Sequence, residues 1–317
     1  MSGKFAHNQL QFLCANDVKS KPGKTTYTQM LNKSGGIEAD VTISCLKENY
    51  FRVICPAFAR VHNKNHILRN LTQEVTFKDV TDNYASLGIF GPNSRKFLNE
   101  LVGNFFFNED FPFATGKYLS LVNVKIWFQR LSFIGELGWE LYIPIKKSKI
   151  IFKIIQILGK KYNICYSGMH TLDMLRLEKK FLHWGHDITS ENNPIEAGLR
   201  FAVSLKKNNN FIGRQSIEKI ISQPLKKRLE LFSLKDSKYP GKPLLMHDEP
   251  IFFNNKIIGY STSSNYSFNY KKNIFLAYVD NNYSMNNDLK IEIAGKQYSI
   301  MLEPKSLYDP EGKILRN

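Results

Sequence analysis

The chain has 317 residues, 43% hydrophobic and 23% charged, a globular composition that excludes a disordered or fibrous chain and gives room for more than one domain. Its 44 Lys and Arg against 28 Asp and Glu give a formal net charge of +16. The lysines are spread thinly and accompany no nucleic-acid motif, so they read as a solvated surface, and no nucleic-acid partner is expected.

The opening MSGKFAHNQLQFL lacks the continuous apolar core of a signal peptide. PGKTT (Pro22–Thr26) ends like a phosphate-binding loop, but the required first glycine is Val18, and no helix opening follows. GGIEADVTISCL begins as a glycine turn and then alternates. Val41, Ile43 and Cys45 share one face and Thr42 and Ser44 the other, which predicts a strand. YFRVIC is its hairpin partner, and HNKNHILRNL a short helix. SLGIFG is a buried strand, after which Pro92 opens a helix.

VKIWFQRLSFIG (124–135) and GWELYIP (138–144) are two strands joined by the tight turn GELG. In the second strand Trp139, Leu141 and Ile143 share one face, and Glu140 and Tyr142 the opposite one. Glu136 sits at the corner between the strands, where a side chain can project into a cavity. KSKIIFKIIQILGKKY and HTLDMLRLEKK are helices. The greasiest run, Ile150–Leu158, is broken by Lys153 and Gln156 and is too short to cross a bilayer, so no membrane span is expected. FIGRQSIEKII is a further short helix. From about Leu225 the texture becomes short strands and turns, which predicts a small barrel or sandwich. The natural cut falls at Gln223–Pro224.

Cys14, Cys45, Cys55 and Cys165 have no Cys-x-x-Cys spacing and read as buried free thiols in a reducing compartment. His62 and His66 have helical spacing, but Asn63 stands where a zinc protease carries glutamate. His183 and His186 find no ligand cluster beyond Asp187, so no metal centre is expected. Asp40 heads its strand either as a turn carboxylate or as a carboxylate at a cavity mouth. Arg176 either pairs with Asp173 on a helix surface or is buried to clamp a carboxylate. Spacing alone leaves both pairs of alternatives open.

Taken in order, GGIEADVTI, LGIFGPNSRKFL, RLSFIGELGWELYIP, LDMLRLEKKFLHWGHDITSENNPIEAGL and FIGR resemble the folate-binding aminomethyltransferase family, that of the glycine cleavage T-protein. LCANDV, TYTQMLN, EPIFFNNKIIGYSTS and LYDPEGKILR favour the branch formed by the C-terminal tetrahydrofolate-binding region of dimethylglycine and sarcosine dehydrogenases. The resemblance implies an α+β fold, a three-domain cloverleaf around a central folate cavity that ends in a small all-β barrel. It divides the chain into a body of two interleaved α+β lobes, 1–223, and a barrel domain, 224–317. The start is expected to be short against the family pattern.

The implied function is tetrahydrofolate-dependent one-carbon transfer, in demethylation of a methylated amine such as dimethylglycine or sarcosine, or in glycine cleavage. A non-catalytic folate-binding scaffold or assembly factor is the alternative, although the cysteine loop of the iron–sulfur assembly relatives reads NNNFIGRQ here. By resemblance, Asp40 is the catalytic aspartate. Glu136 is the first candidate to receive the paired donors of the pterin edge, and Glu140 the second, or else a structural group. Arg176 helps hold the ligand, and Tyr308 is a late cavity tyrosine. No Gly-x-Gly-x-x-Gly fingerprint is present, so no flavin site is expected in this chain. A separate flavoprotein oxidoreductase or a lipoyl carrier would then supply the carbon. The expected location is the cytoplasm, or the mitochondrial matrix in a eukaryote.

Overall fold

The structure is a computed structural model and describes residues 1–72, 74–236 and 239–317. Helix α1 (Ala6–Leu13) is followed by the antiparallel sheet β1 (Thr25–Leu31), β2 (Ile37–Lys47) and β3 (Tyr50–Ile54), in that spatial order, and by helix α2 (Arg60–Arg69). Alternation builds this lobe. Ala39, Val41, Ile43 and Cys45 turn into one core with Leu10, Leu13, Met30 and Phe51.

The β1–β2 hairpin needs its glycines. A Cβ at Gly36 would lie 1.8 Å from the Ser190 carbonyl oxygen, so only glycine lets the 190 loop approach so closely. Asn32 ties the turn by accepting the amides of Ser34 and Gly36 at 3.0 and 2.9 Å. Regular pairing breaks between Met30 and Leu31, where Leu31 faces Ile37 and Glu38 is the extra residue of a β-bulge. Beyond that bulge the hairpin changes allegiance. Leu31 and Ile37 join a second core with Leu177, Leu229, Leu231, Ile274 and Leu276.

The second lobe contains β4 (Tyr84–Phe90), α3 (Ser94–Val102), β5 (Gly116–Leu121), β6 (Val124–Gln129), β7 (Gly138–Pro144) and α4 (Ser148–Gly159). Its sheet runs β4-β7-β6-β5. Trp139, Leu141 and Ile143 pack with Ile126, Phe128, Phe97, Ile151 and Ile155 on the α4 side. The predicted strand 124–135 is shorter than expected and ends at Gln129. There the chain leaves the sheet as Arg130 is buried, donating to Asn108 Oδ1 and the Phe111 carbonyl oxygen, both at 2.7 Å.

Helices α5 (Met169–Glu178) and α6 (Arg214–Ile221) lead into β8 (Lys227–Leu234), β9 (Pro250–Phe253), β10 (Lys256–Ser267), β11 (Lys272–Asp280), β12 (Lys290–Ile293) and β13 (Lys296–Glu303). These strands close a barrel in the order β10-β11-β8-β13-β12-β9, filled by Phe232, Phe275, Ile251 and Ile291, and helix α7 (Lys313–Arg316) follows it. Among the described residues no helix is long and apolar enough to cross a membrane. The four thiols are free. Cys14 and Cys45 are buried as expected, whereas Cys55 is half-buried and Cys165 exposed, because the latter lies in the loop after α4 and outside any core.

Candidate functional site

Asp40, Thr42 and Ser44 of β2 and Thr25, Tyr27 and Gln29 of β1 lie on the opposite face of the sheet, where Tyr27 packs against the core shared with the barrel and Ser44 reaches the second lobe. Asp40 lies on this polar face, opposite Gln29 in the ladder, and accepts Gln29 Nε2 at 2.9 Å. Tyr27, paired with Thr42, also reaches the Asp40 carboxylate. Burial pushes the Asp40 carboxyl up to about 6, opposed by the hydrogen bonds from Gln29 and Tyr27. Burial, followed by the Asp40 charge, drives the Tyr27 phenol well above its ordinary range. The other amide atom, Gln29 Oε1, is buried without a partner.

The facing wall belongs to the second lobe. Four residues along the same strand face, about 13 Å from Asp40, Ser44 Oγ donates to the fully buried Gln129 Oε1, which joins β2 to β6. Trp127 Nε1 adds a second bond to that oxygen at 3.3 Å. Gln129 is the ladder partner of Glu140 and donates Nε2 to Glu140 Oε2 at 3.4 Å, while Tyr142 OH donates to the same oxygen at 2.7 Å. Burial raises the Glu140 carboxyl, and the Tyr142 bond works against it. Among the described residues no donor reaches Glu140 Oε1. Arg52, opposite Ser44 on β3, closes this end, with its guanidinium 4.6 Å from the Tyr84 ring centre and 5.0 Å from that of Tyr142.

Asp40 on the first sheet and Glu140 on the second, two sheets joined by Ser44 and Gln129, are both half-buried carboxylates. Each is held by a glutamine and a tyrosine, and Glu140 keeps an oxygen without a protein donor.

The remaining candidates each have protein partners of their own. Glu136 accepts the Tyr308 hydroxyl, so these two meet each other. Burial and then Glu136 raise the Tyr308 phenol. They belong to a strap that fastens the segment after the barrel onto the end of α5. Tyr308 N donates to the Glu178 carbonyl oxygen at 3.1 Å, Lys179 pairs with Asp309 at 3.0 Å, and the Glu178 carboxylate accepts Ser267 Oγ at 2.6 Å and Asn269 Nδ2 at 2.8 Å.

Arg176 is 1% exposed, so the helix-surface reading fails, although its Nε does donate to Asp173 at 2.8 Å. Its Nη1 donates to the Phe181 carbonyl oxygen at 3.0 Å and to Asp187 Oδ2 at 2.6 Å, and its Nη2 donates to Ser263 Oγ on β10 at 2.7 Å. Asp187 is itself filled, accepting His183 N at 2.9 Å and Thr262 Oγ1 at 2.6 Å. This cluster docks the barrel on the body. Sequence reasoning missed Tyr27, Gln29, Arg52 and Gln129. The alternation that put Thr42 and Ser44 on a polar face would have flagged Tyr27 and Gln29 had it been extended to β1.

The description "GCVT N-terminal domain" matches residues 1–207, and "Glycine cleavage T-protein C-terminal barrel domain" matches 227–309. Human mitochondrial sarcosine dehydrogenase is 31% identical over 99% of this chain and 36% of its own length. Human mitochondrial dimethylglycine dehydrogenase is 32% identical over 98% of this chain and 36% of its own. The chain thus spans about a third of those relatives. In structure it superposes on the glycine cleavage system aminomethyltransferase T of Bartonella henselae with a TM-score of 0.85 at 19% identity, covering 98% of this chain and 83% of that one. A mixed α+β body with a closed C-terminal barrel, matched to both descriptions across nearly its whole length, establishes that the chain belongs to the glycine cleavage T-protein family.

Proposed function

We propose that the gap between the two sheets binds tetrahydrofolate, and that the chain transfers a one-carbon unit to it from an amine-derived donor. One observation carries this reading: two half-buried carboxylates, raised by desolvation, on two sheets that Ser44 and Gln129 join, one of them with an acceptor oxygen that no protein donor reaches. Burying a carboxylate is costly without partners, so two half-buried ones suit a ligand that supplies N–H donors.

Glu140 is the residue we assign to the paired donors of the pteridine edge, ahead of Glu136, whose carboxylate is engaged by Tyr308. A carboxylate accepts an amino group and a ring N–H side by side, and a hydrogen bond to a charged partner contributes about 1.5–3 kcal/mol. Tyr142 and Gln129 hold Glu140 in place. The buried orphan acceptor Gln29 Oε1 is suited to a further ligand N–H beside Asp40. Arg176 we assign to barrel docking, and Tyr308 to fastening the strap.

When bound, reduced folate supplies the nucleophilic nitrogen that accepts the carbon. Asp40, ionised above about pH 6, stabilises positive charge on the incoming carbon and accepts a proton at its carboxylate. Gln29 and Tyr27 fix its orientation, and the closed aromatic end at Arg52, Tyr84 and Tyr142 excludes water. The relatives' names make a methylated amine such as dimethylglycine or sarcosine the favoured source of the carbon, processed by a separate flavoprotein. A lipoyl carrier is the source in the glycine-cleavage version. The division at 223–224 and a location in the cytoplasm or mitochondrial matrix belong to the same reading.

Calorimetry with tetrahydrofolate tests the binding. Saturable binding that is weakened in Glu140→Gln supports the reading, and absence of binding by the wild-type chain removes it. Folate binding with turnover unchanged in Asp40→Asn would leave the folate site standing and withdraw the role of Asp40. Binding with no turnover by any donor would favour the non-catalytic scaffold.

A further inference from the structure

A second surface with chemistry of its own lies on the back of the second lobe, on the far side of its sheet from the gap. Helix α4 buries Ile151 and Ile155 beneath β7 but leaves Ile157 62% exposed. Ile157 borders a hollow of about 540 Å³. Lys153, Gln156 and Lys160 line it along the helix, Ile164 forms its floor, and Tyr166, 64% exposed, stands on the far side. Gly159 makes the hollow possible, because a Cβ there would come within 2.8 Å of Ile164 Cδ1 and push the returning loop outward.

The chain segment that lines this hollow carries charge of one sign. No acidic residue occurs between Glu140 and Asp173, while Lys146, Lys147, Lys149, Lys153, Lys160 and Lys161 all fall within that span. Lys161 is satisfied by Glu100 at 2.6 Å. Lys153 and Lys160 form no ion pair among the described residues. They are spaced two helical turns apart, with Ile157 on the same face between them.

We propose that this groove is a docking site for an acidic peptide segment of a partner protein, anchored by an aliphatic or aromatic side chain in the hollow. Concavity decides for a peptide over a lipid surface, since a bilayer meets a convex amphipathic face, whereas a helix edge facing a returning loop receives an inserted side chain. Charge complementarity sets the partner's sign. The site does not use the gap, so it stands or falls apart from the folate reading, and a partner docked here leaves the Asp40 side free.

The test uses the full chain and a fluorescein-labelled peptide of alternating glutamate and leucine, read by anisotropy. A glutamate-only peptide, the lysine–leucine counterpart and vesicles containing phosphatidylserine serve as comparisons. Expected is saturable binding of the glutamate–leucine peptide at least tenfold tighter than either comparison peptide, and no co-sedimentation with vesicles. Lys153→Glu with Lys160→Glu should weaken it at least tenfold, and Ile157→Ser about fivefold. The remote pair Lys290→Glu with Lys296→Glu should change it less than threefold. All four lysines and Ile157 are exposed, so the variants keep the fold. Equal weakening by the remote pair, vesicle binding in place of peptide binding, or no preference for leucine would each overturn the proposal.

Discussion

A buried charge cluster and a half-buried one differ in one respect in this protein. Around Arg176 and Asp187, donors and acceptors from α5, the loop after it and the barrel use up nearly all of each other's capacity. In the gap, Asp40 and Glu140 are held as firmly, yet Glu140 keeps a free oxygen and Gln29 an unanswered one. A complete network fixes structure. We read an incomplete one, retained where burial raises both carboxyls, as arranged for a visitor.

That contrast is breakable. Asp40→Asn should lower turnover by about 10²–10⁴-fold, the range for a group that manages charge and protons at a reacting carbon, and steady-state kinetics would show it. The same variant should be more stable than wild type at neutral pH, because it removes a buried charge. The sign follows from the raised carboxyl, which moves from 3.8 to about 6 on folding. Between those values the folded state holds more protons than the unfolded one, so stability declines as pH rises through about 6. The variant lacks this slope, and its advantage should grow to about 3 kcal/mol above pH 6; denaturation at pH 5 and 7.5 measures it.

Arg176→Met should cost about 3–5 kcal/mol of stability by stranding Asp187, read as a lowered Tm. If Arg176→Met left Tm unchanged and abolished folate binding instead, the assignment of this cluster to docking would be wrong. Glu140→Gln should weaken tetrahydrofolate by about 10–100-fold, in line with about 1.5–3 kcal/mol for a charged acceptor, with little change in Tm. Glu136→Gln should be the mildest, costing about 0.5–1 kcal/mol of stability and changing folate affinity by less than about threefold. A reversal of the last two results would restore Glu136 to the ligand.

How much of this was legible in the chain depended on distance along it. The faces of β2 and β7 follow from alternation, which placed Glu140 and Tyr142 together and opposite the core residues. The shift to short strands foretold the barrel. The ranking of Glu136 above Glu140 came from the family resemblance; what meets Glu136 at its corner is Tyr308, 172 residues later. Arg176 likewise meets Ser263, 87 residues away. Side-chain periodicity reports the direction a residue faces; it carries no record of what a distant segment brings there.

The bulge at Glu38 has a mechanical result. Because the hairpin gives Leu31 and Ile37 to one core and Met30 and Ala39 to another, Asp40 stands just past the seam, clamped from both sides. The first of those cores includes Leu229, Leu231 and Ile274 of the barrel. Loosening the barrel therefore slackens the very ribbon on which Asp40 rides, so damage in the barrel is transmitted to the placement of that acid.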